Sequence, residues 1–141
     1  MTLFIKRVAI FGFVTTALIA GTVFFPTFLL RCFGSFELHD ESAIVIVGHS
    51  HPECAFNDSL INDFSNISSS AESYFYSYQK LRKVLDHNPG IDVVCIEFTN
   101  NVLKKNMDDW IWGSKMPHYF TTYFPFMDFE DAWLLFLHNF K

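Results

Sequence analysis

"IVIVGHSHPECAFND", Ile44 to Asp58, is the stretch on which the fold turns. Four β-branched residues run without a polar break to Gly48, the pattern of a strand covered on both faces. Ser50 then stands between His49 and His51, and Pro52 suits the first turn of a helix, where its missing N–H costs nothing. Downstream, "IDVVCIEFTNN" repeats the pattern as a second buried strand, with Thr99, Asn100 and Asn101 just past its end. Between the two lies a clear helix. Ser69 and Glu72 have capping-box spacing, and Phe75, Tyr78, Leu81, Arg82 and Leu85 share a face from which Lys80 and Lys83 are absent. "HNPG", His87 to Gly90, stops it, and Phe64 to Ile67 is a candidate third strand. Strand, helix, strand at this spacing predicts a parallel α/β sheet, which places its chemistry beyond the carboxyl ends of the strands. Both polar clusters fall at such ends.

Upstream, Lys6 and Arg7 precede an uncharged run, Val8 to Leu30, closed by Arg31. As a helix it spans roughly 34 Å, enough for a hydrocarbon core. "ALIAG" places Leu18 where a signal-peptidase site needs a small residue, and Arg31 stands where a lipoprotein signal needs one before Cys32. An uncleaved anchor is therefore expected over 1–33, then a linker over 34–42 and an α/β domain over 43–141. Two cations before the span and one after favour a cytoplasmic N-terminus, with the domain on the extracytoplasmic side of the cell membrane.

The 141 residues suffice for one ordinary domain, and half of them are hydrophobic, with 18 phenylalanines. A formal charge of −5 without a basic stripe argues against nucleic acid as a partner. Cys32, Cys54 and Cys95 are too scattered for a disulfide framework, and Cys95 is expected as a buried thiol. No cofactor is implied. The end of the chain closes on an expected helix near Asp128 to Asn139, whose "AWLLFLHNF" is apolar nearly all round and is expected to be buried.

Three readings of the Ser50 cluster follow from the residue types. Ser50 could be a nucleophile on a strand-to-helix turn, with backbone N–H groups beside it for an oxyanion. His49, His51 and Glu53 could be metal ligands if the strand alternation continued through them, with Asp108, Asp109 or His118 completing the set. Ser50 could also simply cap the following helix.

The motif positions favour the first reading. "VGHSH" resembles the first motif of the GDSL-type (SGNH) hydrolases, in which the nucleophilic serine directly follows a strand. "GHSHPECAFNDSLI", "SNISSSAESYFYSYQKL" and "VVCIEFTNN" are similar to membrane-anchored SGNH-like proteins of Bacteroidetes-like bacterial envelopes. The resemblance covers about Ile44 to Asn101. It implies an SGNH-like three-layer sandwich with a parallel sheet and a serine esterase or O-acyltransferase acting on acylated envelope or extracellular glycans. It assigns Ser50 as nucleophile and backbone oxyanion donor, and Asn100 as side-chain oxyanion donor. Ala71, or Ser70, stands where the family carries its oxyanion glycine. The family's base lies in an Asp-x-x-His motif, and none of the six histidines here has an aspartate three residues before it. The chain is accordingly expected to be the N-terminal part of a longer domain, inactive in this form; the alternative is His51 or His118 as a substitute base.

Asn57-Asp-Ser59 and Asn66-Ile-Ser68 match a glycosylation pattern by composition. Tyr74, Phe75, Tyr76 and Tyr78 could stack on sugars or form the core face of a helix with flanking contacts, and Trp110 and Trp112 could line a carbohydrate cleft or ride at the membrane surface.

Overall fold

The computed structural model describes residues 2–38, 42–100, 104 and 107–139. The chain divides into two compact units, Met1–Gly34 and Ser35–Lys141. The first is one helix, α1 (Thr2–Phe33), exposed along nearly all its described length. Its segment Leu3–Thr22 is long and apolar enough to cross a membrane.

The second unit is mixed α/β. Strand β1 (Ile44–Val47) leads into a short helix α2 (Ser50–Ala55), a 3-10 turn at Asp58–Leu60 and strand β2 (Phe64–Asn66). Helix α3 (Tyr74–His87) and strand β3 (Val93–Ile96) follow, then α4 (Asp108–Trp112), α5 (Met116–Tyr123), a 3-10 turn at Phe124–Phe126 and α6 (Phe129–Asn139). The three strands form one parallel sheet in the order β2-β1-β3. Val45 is opposite Ser65 on one side and Val94 on the other. The uninterrupted "IVIV" is explained by this central place: Val45, Ile46 and Val47 are all buried.

The other strand expected to be buried differs. β3 is exposed throughout, with Ile96 61% and the following Phe98 72% accessible, and Cys95 is an exposed thiol. The physical reason is position. Among the described residues β3 has β1 on one side and no strand on the other, so its apolar composition is not matched by cover. Tyr78 and Leu81 of α3, with Ile96 and Phe98, line an open apolar groove of about 380 Å³ beside it.

Helix α3 also buries a different face from the expected one. Tyr76, Ser77, Gln79, Lys80 and Val84 are buried, whereas Tyr78 is exposed. The core explains the rotation: Tyr76 packs with Met116, Tyr123, Met127 and Leu135 from the C-terminal helices. The capping box is not formed, because α3 starts at Tyr74 and Glu72 turns inward. Its carboxylate takes Lys80 Nζ at 2.5 Å and the Tyr123 hydroxyl at 2.8 Å, and its side chain is fully buried. Lys80 is thus drawn into the core by a counter-ion rather than turned to solvent. On α6 only Leu135 is buried, so its "AWLLFLHN", Ala132 to Asn139, forms a one-stripe helix, with Trp133 and Leu137 about half exposed.

Asn88, at the expected stop, has two jobs. Its Nδ2 donates to Val84 O and Phe36 O, and its Oδ1 accepts from Leu38 N–H. The stretch expected as a linker is thereby pinned to the end of α3 over Phe36 to Leu38.

Candidate active site

The carboxyl end of β1 delivers Gly48 and His49 to the start of α2, whose first residue is Ser50. Gly48 is required by space rather than by backbone conformation, since no described glycine has positive φ. A Cβ at position 48 would lie 2.5 Å from Glu97 Cβ, 2.6 Å from its Oε2 and 2.7 Å from Pro52 Cγ. The Ser50 hydroxyl lies 3.1 Å from His49 Nδ1. The His49 ring is supported in turn: it stacks on Trp110 at 6.1 Å, and Trp110 stacks on Tyr119 at 5.4 Å. Trp110, open in the sequence to a sugar or interface role, is here a support for His49.

Glu97 sits one residue past β3 and is the largest addition to the site that the motif reading missed. Its backbone N–H donates to Val47 O at 3.0 Å, and its carbonyl accepts from the Tyr74 hydroxyl at 2.7 Å. Its side chain, 9% exposed, takes the His49 backbone N–H on Oε2 at 2.5 Å and faces His51 Nδ1 with Oε1 at 3.0 Å. The signal was present as a carboxylate inside an otherwise apolar run, "VVCIEF", where an unpaired charge would be costly. Burial first, then the negative charge of Glu97, raises the Tyr74 phenol above its ordinary range, offset in part by a hydrogen bond from the Thr99 backbone. Tyr74 therefore stays a hydroxyl donor.

The chain after β2 returns to the same turn. Ile67 N–H donates to Ile46 O at 3.0 Å and Ser69 N–H to Gly48 O at 3.1 Å. Two residues on, Ala71 has φ 61°, a left-handed conformation that favours glycine. Ser70 Oγ donates to the Glu53 carboxylate on α2, which ties this segment to the serine's helix. Asn100 lies in an exposed turn past β3, and its side chain makes no hydrogen bond to another described residue. Asn101 lies outside the described residues.

The metal-ligand candidates are not brought together. Once α2 begins at Ser50, residues two apart are turned by about 200° instead of lying on one side. His49 is engaged with Ser50 and Trp110, His51 with Glu97, and Glu53 with Ser70. Of the more distant candidates, Asp109 accepts from Ser114 N–H, and the His118 ring sits edge-on to Tyr119 at 5.4 Å. Among the described residues no group of three or more His, Cys, Asp or Glu side chains is placed to hold a metal ion.

No protein family, no curated protein and no solved structure matches this chain.

Proposed function

We propose that residues 43–141 form an SGNH-like serine esterase or O-acyltransferase unit, built as part of a three-layer sandwich. In this reading α1 anchors the unit in the cell membrane on its extracytoplasmic side, and the substrate is an acyl ester of an envelope or extracellular glycan. The observation that carries it is Ser50 itself: a hydroxyl at the carboxyl end of the central parallel strand, within hydrogen-bond distance of an imidazole. The left-handed backbone at Ala71 supports the reading, because that is the conformation a glycine at the equivalent family position is suited to.

The chemistry uses groups already at the turn. Ser50 Oγ attacks the acyl carbon while its proton passes to His49 Nδ1. The oxyanion that forms is taken by the backbone N–H groups of Ser50 and Ala71 and by the Asn100 side chain. As the C–O bond breaks, the departing alkoxide takes the proton from His49. Water, or an acceptor hydroxyl, then removes the acyl group from Ser50. His49 in this scheme stands in for the base of the absent Asp-x-x-His motif.

Hydrolysis of p-nitrophenyl acetate by the full chain in detergent tests the proposal. Ser50→Ala is expected to lower kcat/KM by about 10³-fold or more, and His49→Ala by about 10²-fold. Equal rates for wild type and Ser50→Ala would overturn it.

A further inference from the structure

Resting on the nucleophile reading above, we propose that Glu97 is a positioning residue that clamps the β1–α2 turn on both sides of Ser50. The two carboxylate oxygens divide between the neighbours of the serine. Oε2 holds the backbone N–H of His49, the residue before it, and Oε1 holds the ring of His51, the residue after it. Ser50 is thus gripped through both flanking residues, which stand 48 and 46 positions before Glu97 in sequence.

Three further features show that Glu97 is built in rather than resting there. Its backbone is fixed at both ends, by Val47 O on the N–H and by the Tyr74 hydroxyl on the carbonyl. Its side chain is nearly buried although it lies beyond an exposed strand. The space it occupies exists because position 48 lacks a Cβ, which would fall 2.6 Å from Oε2. The glycine of the motif and the carboxylate past β3 are two halves of one device.

The clamp has a chemical consequence for His51. An ionised carboxylate only accepts hydrogen bonds, so the neutral His51 ring must carry its hydrogen on Nδ1. Nε2 is then the basic nitrogen, on a side chain 68% exposed. This fixes His51 as a proton acceptor toward the open side of the turn, while His49 faces Ser50.

Two readouts on the full chain in detergent micelles test the clamp, and they fail separately from the esterase reading. In the first, histidine is labelled with ¹⁵N and the tautomer of neutral His51 is read from its two ring-nitrogen shifts. Wild type is expected to show Nδ1–H alone. Glu97→Gln, whose amide can donate to Nδ1, is expected to move His51 toward Nε2–H with the fold retained by circular dichroism. In the second, Ser50 labelling by a fluorophosphonate is expected to slow about tenfold or more in Glu97→Ala. Glu97→Gln is expected to fall between, because its carbonyl oxygen still accepts from His49 N–H. A mixed tautomer in wild type, or one unmoved by Glu97→Gln, overturns the clamp. Measurable and equal labelling of Ser50 in wild type and folded Glu97→Ala overturns it too. A tautomer that shifts as expected in a chain with no labelling at all leaves the clamp standing and removes the nucleophile.

Discussion

Gly48 and Ala71 show two different reasons for a small residue at one site. At Gly48 the reason lies opposite, in the Glu97 and Pro52 side chains. Gly48→Ala is expected to cost about 1–3 kcal/mol, measured by urea unfolding, and to lower esterase activity by displacing Glu97. At Ala71 the reason is its own backbone, held at φ 61°. Ala71→Gly is expected to stabilise the chain by about 1 kcal/mol, because it removes the penalty a Cβ carries in that conformation. No stabilisation in the same unfolding experiment would contradict that account. The strand-to-helix turn that carries Ser50 was legible as an apolar run ending in glycine, whereas Ala71 was singled out by the family resemblance alone. Glu97 was not, because its partners are set by the pairing of β1 with β3, a long-range register that no local motif encodes. His49, His51 and Glu53 are separated for a local reason, since the metal reading carried strand alternation through a point where the backbone turns helical.

Helix α3 was legible as a helix and misread as a surface. Periodicity located its body and "HNPG" its end, yet the buried face is set by Tyr76 and Lys80, which pack toward the C-terminal helices. A lysine at a core position cannot be recognised from apolar periodicity. It is there because Glu72 is fully buried beside it. Lys80→Ala is expected to cost about 3–5 kcal/mol, since it strands the Glu72 carboxylate without its cation. Replacing the pair together, Lys80→Met with Glu72→Gln, is expected to recover most of that loss, and thermal unfolding of both variants distinguishes the cases. The same cluster predicts a response to alkali. Burial, the main cause for both, pushes the Tyr76 and Tyr123 phenols far above their ordinary value, and for Tyr123 the Glu72 charge adds to it. Above about pH 10 the unfolded chain releases these protons and the folded chain keeps them. The folded state then binds more protons, so stability falls as pH rises. Each buried phenol contributes a slope that approaches about 1.4 kcal/mol per pH unit once the unfolded phenol is fully ionised, about one unit above pH 10. Unfolding followed by circular dichroism is expected to coincide with phenolate absorbance. Ionisation of Tyr76 or Tyr123 near pH 10 in a still-folded chain, read as the absorbance lost in Tyr76→Phe or Tyr123→Phe, would contradict it.

At the scale of the whole molecule, a membrane-length helix and a small parallel sheet were both readable, one from an uncharged run and the other from two apolar runs flanking a helix. What composition could not show is how much of each run is covered. "VVCI" has the sequence of an interior strand and the exposure of an edge, and α6 presents several apolar groups to solvent beside the single buried Leu135. Cover depends on the neighbours of an element, and hydropathy describes only the element itself. The functional account therefore rests on the one place where local pattern and long-range packing meet, the turn that carries Ser50. The most direct measurement is reaction of the full chain with a fluorophosphonate, with the modified residue located by peptide mass spectrometry. The account predicts a single adduct on Ser50, lost in Ser50→Ala and slowed in His49→Ala. An unmodified Ser50, or equal labelling of wild type and Ser50→Ala, would contradict it.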